Sequence, residues 1–528
     1  MMAKGYWVPV LHSHLPFVKH PEHEYFLEEH WLFEAISETY IPLLMGFKDL
    51  KDRGINFKIT VSLTPPLCEM LSDDHLKEKY RLHLEKMVLL CEKEVARTQE
   101  DTAFIGVSSF YLERYKKLKD FFEGFLNYDI LNGYRYFAKS GNIEIITCGA
   151  THGFLPLMSV NKKAVEVQIE LAVKTHKKHF GVEPKGIWLP ECAYYDGLDE
   201  ILEKNGIKFF FMDSHGLVYA EPAPRFGVFA PIFSTKGVAA FGRDTDSSKQ
   251  VWSSKEGYPG DYSYRDFYRD IGYDLDFEYV KPYICPDGTR VFTGLKYFKI
   301  TSNSDYKEAY IREDALKKTK EHAANFHYNR ERQIDYLSEY MDRPPMIVSP
   351  YDAELFGHWW FEGPEFLMSV FEEMDKYKVV EPLTPIEYLA MFETNQVSKP
   401  NPSSWGDRGY YDVWINGSND WIYRHLHFMA DTMTELADRY YNNTNALTTR
   451  LLNQMARELL LAQSSDWAFL MTTKTAIEYS TKRTKEHISN FIKLLDMVEE
   501  GSTDEEFLLK VEDKNSIFQG LDFRIYSS

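Results

Sequence analysis

Cysteine is scarce in this sequence. There are five residues in 528, Cys68, Cys91, Cys148, Cys192 and Cys285, scattered and never in a C-x-x-C pair. That excludes a disulfide scaffold and a zinc ribbon, and it predicts reduced thiols in a cytoplasmic chain. Long apolar runs are missing as well: none approaches the ~20 residues that span a bilayer. The first residues, Met1 to Phe17, carry one Lys, and His and Pro interrupt their apolar run, which is not the pattern of a secretory leader. A basic excess is also absent, since 61 Lys+Arg against 80 Asp+Glu gives a net charge of −19. Such a field repels nucleic acid and anionic lipid, so neither nucleic acid nor membrane is an expected partner. No G-x-S-x-G elbow, Walker A sequence or strand-linked G-x-G-x-x-G fingerprint occurs. Serine acyl transfer, phosphoryl transfer and dinucleotide chemistry therefore lose their usual support.

Aromatic side chains are abundant, at 15% of the chain. Most belong to a core, because aromatics dominate cores generally. Trp359 and Trp360 are adjacent, however, and Trp405, Trp414 and Trp421 fall in a stretch rich in Gly, Asn, Asp and Ser that reads as loop. Loop tryptophans beside amides and carboxylates suit a ligand with apolar ring faces and hydroxyl edges, which describes a sugar.

To about residue 395 the chain alternates short apolar runs with longer amphipathic ones, the pattern of parallel strands and crossover helices. Strands are expected at Tyr6–Leu11, Phe57–Ser62, Ile143–Cys148, Lys185–Leu189, Lys208–Met212 and Met346–Ser349. Helices are expected at about Leu27–Leu50, His75–Thr98, Lys117–Lys139, Lys162–His179, Asp196–Asn205 and Tyr306–Met341. Repeated strand–helix units make an α/β fold, and the length favours a barrel over an open sheet. Pro, Gly and Ser concentrate between about Tyr219 and Asp261, which reads as an inserted subdomain or long loop. From Asp420 to Glu499 apolar residues recur at spacings of three and four, the mark of a helical C-terminal domain.

Residues of catalytic type follow the expected strand ends repeatedly: His12 and His14, His152, Glu191, Asp213, and Asp352 with Glu354. In parallel α/β folds all strand C-termini open on one face, where active sites are built. A lone carboxylate after a strand is usually a helix cap. Glu191 differs in lying within Trp188-Leu189-Pro190-Glu191-Cys192-Ala193-Tyr194, and Asp352 opens an aromatic-rich stretch to Gly363. His12 and His14, two apart on an extended segment, share a face. Spacing alone leaves three readings open for them: a metal chelated with His152, Glu191 or Asp352, a hydroxylated substrate, or a structural role. Two carboxylates amid tryptophans are the minimum equipment of a glycosidase.

His12-Ser13-His14-Leu15-Pro16, Gly149–Met158, Trp188–Tyr194, Asp352–Gly363 and Gln463-Ser464-Ser465-Asp466-Trp467 resemble, in order, the five sequence regions of glycoside hydrolase family 57. The resemblance implies an incomplete (β/α)7 TIM-like barrel at residues 1–195 and 262–395, a small inserted domain at 196–261, and a helical domain at 396–528. It implies a retaining mechanism on α-1,4-glucan polysaccharide or oligosaccharide with no cofactor and no metal, the nucleophile falling on Glu191 and the acid/base on Asp352. His12, His14, Trp188 and Trp359 would hold the sugar beside the cleavage point, with His152 and Trp31 in the same substrate-contact set. Asp466 and Trp467 would reach in from the helical domain, which should govern transfer more than bond cleavage. Within the family the chain most resembles the 1,4-α-glucan branching enzymes, through its length, Gln250–Ser254, Gly257–Asp261 and the Ser403–Trp421 stretch; Trp252, Trp405 and Trp414 are candidate acceptor platforms. Branching members usually carry a tyrosine near the tip of a mobile loop in the inserted domain, yet residues 220–257 hold none. That departure keeps an α-amylase or 4-α-glucanotransferase as the alternative. A cytoplasmic monomer is expected.

Overall fold

The computed structural model describes residues 3–253, 256–284, 288–301 and 306–528. Ser254 and Cys285, both named above, lie outside them; the other four cysteines are buried free thiols. Nine strands occur in the order β1 (Gly5–Ser13), β2 (Ile59–Leu63), β3 (Ile143–Ile146), β4 (Gly186–Ile187), β5 (Phe209–Met212), β6 (Ile232–Phe233), β7 (Ala239–Gly242), β8 (Met346–Asp352) and β9 (Val380–Pro382).

β1 is buried over its whole length, as a parallel strand covered on both faces must be. β8 runs parallel along one edge of it, from Tyr6 opposite Met346 to His12 opposite Asp352. On the other edge β2 pairs with the C-terminal half, placing Ser62 opposite His12, and β9 pairs with the N-terminal part. β3 flanks β2. The second sheet has the order β4-β5-β7-β6, parallel except for β6 at its edge. Thr147 after β3 bridges in parallel to Ile187 of β4. On the far side, the Asp244 N–H after β7 donates to the Val348 carbonyl of β8 at 2.8 Å. Every described strand but β6 therefore pairs in parallel, and the C-terminal ends of these eight strands open on one side.

The register corrects the inserted domain expected at 196–261. Phe209–Met212 and Ala239–Gly242 pair residue for residue in one sheet, so this segment supplies two of its strands. Val238–Phe241, a short β-like run in the sequence, overlaps β7, which lies between β5 and β6. Two expected helices are also broken. Leu27–Ala35 and Ile41–Asp52 are joined by a π-helical turn, Ile36–Tyr40, and the helix read at 117–139 is two, Ile105–Glu123 and Ile130–Lys139, parted where Asn127 and Tyr128 take left-handed backbone.

Toward the C-terminus, helices Trp421–Arg439, Ala446–Ala462, Ser465–Thr473, Ile477–Glu500 and Glu505–Lys514 pack together. They dock on the loop after β3: Gly153 bridges Ser464, Thr151 Oγ1 donates to the Leu460 carbonyl at 2.5 Å, and the Ser465 N–H donates to the His152 carbonyl at 3.0 Å. Among the described residues no helix is long and apolar enough to cross a membrane.

Candidate active site

At the end of β1 the two-residue period of an extended chain puts His12 and His14 on one face. His12 Nδ1 lies 3.1 Å from Ser62 Oγ on the neighbouring strand, and His12 Nε2 lies 3.1 Å from His152 Nε2. The His12 ring stacks on Trp188, centroids 4.6 Å apart, and Trp188 is fully buried. His14 stacks on His152 at 3.9 Å with only 14° between the rings.

Glu191 sits in the turn Pro190–Cys192 that follows β4. Its backbone is left-handed, at φ 62°, as are His152 at 58° and Cys192 at 50°. For L-residues that conformation costs about 1–2 kcal/mol each, and such outliers persist where surrounding contacts fix them. Here the contacts are visible. Trp405 Nε1 donates to Glu191 Oε2 at 2.8 Å, Ser465 Oγ donates to Oε1 at 2.8 Å, and the Trp405 N–H donates to the Glu191 carbonyl at 2.8 Å. Burial pushes the carboxyl up to about 7, while the two donors pull it back toward ionisation. Asp352, partly exposed at the end of β8, is raised well above the usual carboxylate range. Enclosure by protein is the main cause, with the nearby Glu354 and Glu191 carboxylates adding to it.

A half-buried ion pair closes the arrangement. Asp466 reaches His14 Nε2 at 2.9 Å. Burial alone would depress His14 and raise Asp466, but the pairing reverses both, lifting the imidazole and holding the carboxyl below its ordinary range. His12 and His152 are instead held well below the imidazole range, by burial first and by neighbouring imidazoles second. His14, His152 and Asp466 bring three donor atoms within 4.8 Å, as do His12, Cys148 and His152. Stacked His14 and His152 rings aim their in-plane lone pairs side by side, a poor arrangement for one shared ion.

The structure thus gathers His12, His14, His152, Trp188, Glu191, Asp352, Trp405 and Asp466. It does not gather every candidate. Trp414 is 1% exposed with its face against Phe154, and Trp467 is equally buried, its Nε1 donating to the Leu461 carbonyl. Both are corrected from sugar-facing residues to packing residues. Trp405 touches the Glu191 carboxylate directly, so it is corrected from a remote acceptor platform to a partner of that carboxylate. Trp252 is partly buried with its ring 6.5 Å from that of Trp405. Trp359 is 56% exposed and backed by Phe267. Trp31 packs edge-on to Tyr479 of the C-terminal helices. Sequence reading missed Ser62, Tyr40 and Ser465. Tyr40, on the π-helical turn, donates to Glu354 Oε1 at 2.5 Å, and Glu354 also accepts the His14 N–H. Only Ser465 had a signal, its place beside Asp466.

Residues 9–401 match glycosyl hydrolase family 57, and residues 425–526 match the C-terminal region of 1,4-alpha-glucan branching enzymes. A 1,4-alpha-glucan branching enzyme of Thermococcus kodakarensis is 34% identical, the alignment covering 98% of this chain and 78% of that protein. Among solved structures, the alpha-amylase AmyC from Thermotoga maritima superposes with a TM-score of 0.94 at 47% identity, covering 99% of both chains. A branching enzyme of this family from Pyrococcus horikoshii superposes at 0.89 with 33% identity, covering 99% of this chain and 97% of its own. With His12, His152, Glu191 and Asp352 all inside the matched span, the chain belongs to glycosyl hydrolase family 57.

Proposed function

We propose that this protein is a 1,4-α-glucan branching enzyme with Glu191 as nucleophile and Asp352 as acid/base. The observation that carries the division of labour is the unequal support of the two carboxyls. Glu191 holds two hydrogen-bond donors that favour its anion, whereas Asp352 feels mainly enclosure and like charge. Two titratable groups pushed apart in this way suit one nucleophile and one acid. In the first step Glu191 Oε bonds to the anomeric carbon as the C1–O4 bond breaks, and the Asp352 proton passes to O4. In the second a glucan 6-hydroxyl gives its proton to Asp352 while its oxygen displaces Glu191 from C1, leaving an α-1,6 bond. β1, β2, β3, β4, β5, β7 and β8, bridged at Thr147–Ile187 and at Asp244–Val348, are read as an incomplete (β/α)7 barrel. His14 and Trp359 are read as sugar-contact residues, and the fully buried Trp188 as the packing surface behind His12. Glucan is the partner, with no metal or cofactor required.

A second reading, α-amylase, is favoured by the 47% identity to AmyC and by the absence of tyrosine from residues 220–257. The chemistry through the glycosyl-enzyme is the same, and water replaces the 6-hydroxyl. Incubation with amylose separates the two. A branching enzyme forms α-1,6 linkages with few new reducing ends; an amylase forms reducing ends alone. Glu191→Gln and Asp352→Asn should each lose several orders of magnitude in kcat with glucan binding retained. The two carboxyl groups should lie about 5–5.5 Å apart in a sugar complex if configuration is retained. Near-normal turnover in Glu191→Gln would sink the assignment.

A further inference from the structure

The hydrogen bonds leading to Glu191 can be given directions. An ionised carboxylate only accepts, so Ser465 spends its single proton on Oε1. Its oxygen then has only lone pairs for His152 Nδ1, 2.8 Å away, which must therefore carry the hydrogen. A neutral His152 has a bare Nε2, which accepts the His12 Nε2–H at 3.1 Å. A neutral His12 in turn leaves Nδ1 bare, to accept from Ser62 Oγ at 3.1 Å. Each tautomer is forced by the next group in line, and the low imidazole pKa values of both histidines supply the neutrality the chain needs.

We infer that Ser62, His12, His152 and Ser465 form a one-directional hydrogen-bond relay ending on Glu191, which holds this carboxylate ionised and makes Ser465 a positioning residue for bond cleavage. The relay rests on Glu191 being the nucleophile. Trp405 completes it, because an indole N–H only donates. A protonated oxygen is a weaker acceptor than an ionised one, so a proton on either carboxyl oxygen weakens the bond it accepts from Trp405 or from Ser465. Both ring nitrogens of His12 are spent in the relay. The other groups acting on Glu191 are His14, which favours its anion, and Asp466, which opposes it; Asp352, Tyr423, Cys148 and Cys192 feel its charge. None of them replaces a donor on Oε1.

The test is the pH dependence of kcat/KM on amylose for the full chain and its Ser465→Ala, Ser465→Thr and Ser62→Ala variants, each with a melting curve. Losing a hydrogen bond to a charged group should raise the acid-side midpoint by about 1–2 pH units in Ser465→Ala. Ser465→Thr, which keeps the hydroxyl, should restore most of the shift, and Ser62→Ala should move the midpoint the same way by less. A folded Ser465→Ala that is slower at every pH with an unmoved midpoint would overturn the relay and leave Ser465 a packing residue. Should Ser465→Ala fail to fold, an unmoved midpoint in Ser62→Ala overturns it equally. Turnover surviving in Glu191→Gln would instead refute the underlying nucleophile assignment, a separate result.

Discussion

Single side chains at this site act through what their neighbours can donate. Of the coupled carboxyl pair, the proton should leave first from Glu191, where Trp405 and Ser465 stabilise the anion, and later from Asp352, against charge already present. A bell-shaped kcat/KM profile follows. Activity should rise with an acid-side midpoint near 7 as Glu191 ionises and fall at higher pH as Asp352 loses the proton it must deliver. A profile flat across the region around 7 would contradict this ordering. The tryptophans divide as sharply. Trp414→Ala should cost about 3–5 kcal/mol by opening a cavity beside Phe154, read as a lower Tm with an unchanged ratio of hydrolysis to transfer. Trp359→Ala should leave Tm nearly unchanged and slow transfer to glucan several-fold, since stacking contributes about 1 kcal/mol. If both variants shift the product ratio alike, burial does not separate their roles.

Among the elements, the docking of the Ser465–Thr473 helix on the β1 and β3 loops is the decisive contact, and the His14–Asp466 pair lies at its centre. Asp466 is held below its ordinary value, so its contribution is present above about pH 3.9 and lost as pH falls through the lower folded value. His14 is raised, so its contribution is full below about pH 6.5 and lost as pH rises through the higher folded value. The pair therefore stabilises most between about pH 4 and 6.5. Breaking such a half-buried pair from one side should cost about 1–3 kcal/mol, between the exposed and fully buried cases. Melting curves of Asp466→Asn against the unchanged protein should show the widest Tm gap inside that window and a narrower one on either side. A gap independent of pH would mean that Asp466 serves by shape rather than charge.

Over the whole molecule, the proposed catalytic centre is drawn from residues 12–14, 152, 191, 352, 405 and 465–466, so nearly the entire chain must be folded for it to exist. The helical domain, expected to decide the fate of the covalent intermediate more than bond cleavage, also touches the carboxylate proposed to act in cleavage. Ser465 sits on the Glu191 carboxylate itself, so undocking those helices should abolish bond cleavage as well as transfer. In a denaturant titration, glycosyl-enzyme formation should disappear with, and not after, the first loss of helical ellipticity. Cleavage that outlasts melting of the C-terminal helices would show that the strand ends suffice.

The sequence by itself determined a great deal. Buried β1, β2, β3 and β5 read as strands because short, mainly apolar and β-branched or aromatic runs between amphipathic stretches admit few alternatives. Glu191 and Asp352 stood out because carboxylates set among Trp, Pro and Tyr after strands are poor loop filler. What it could not give were relations between residues far apart in the chain. Val238–Phe241 looks like an insertion until its pairing with Phe209–Met212 shows it to be a strand of the sheet. Trp405 and Trp414 are indistinguishable as loop tryptophans, yet one hydrogen-bonds Glu191 and the other is packed away. Ser62 carries no local signal at all and Ser465 only its place beside Asp466, since a serine gains chemical meaning only from the groups its hydroxyl meets. Local pattern reports which face of an element is apolar. Only tertiary packing decides which donor meets which acceptor, and on that the direction of the hydrogen bonds at Glu191 depends.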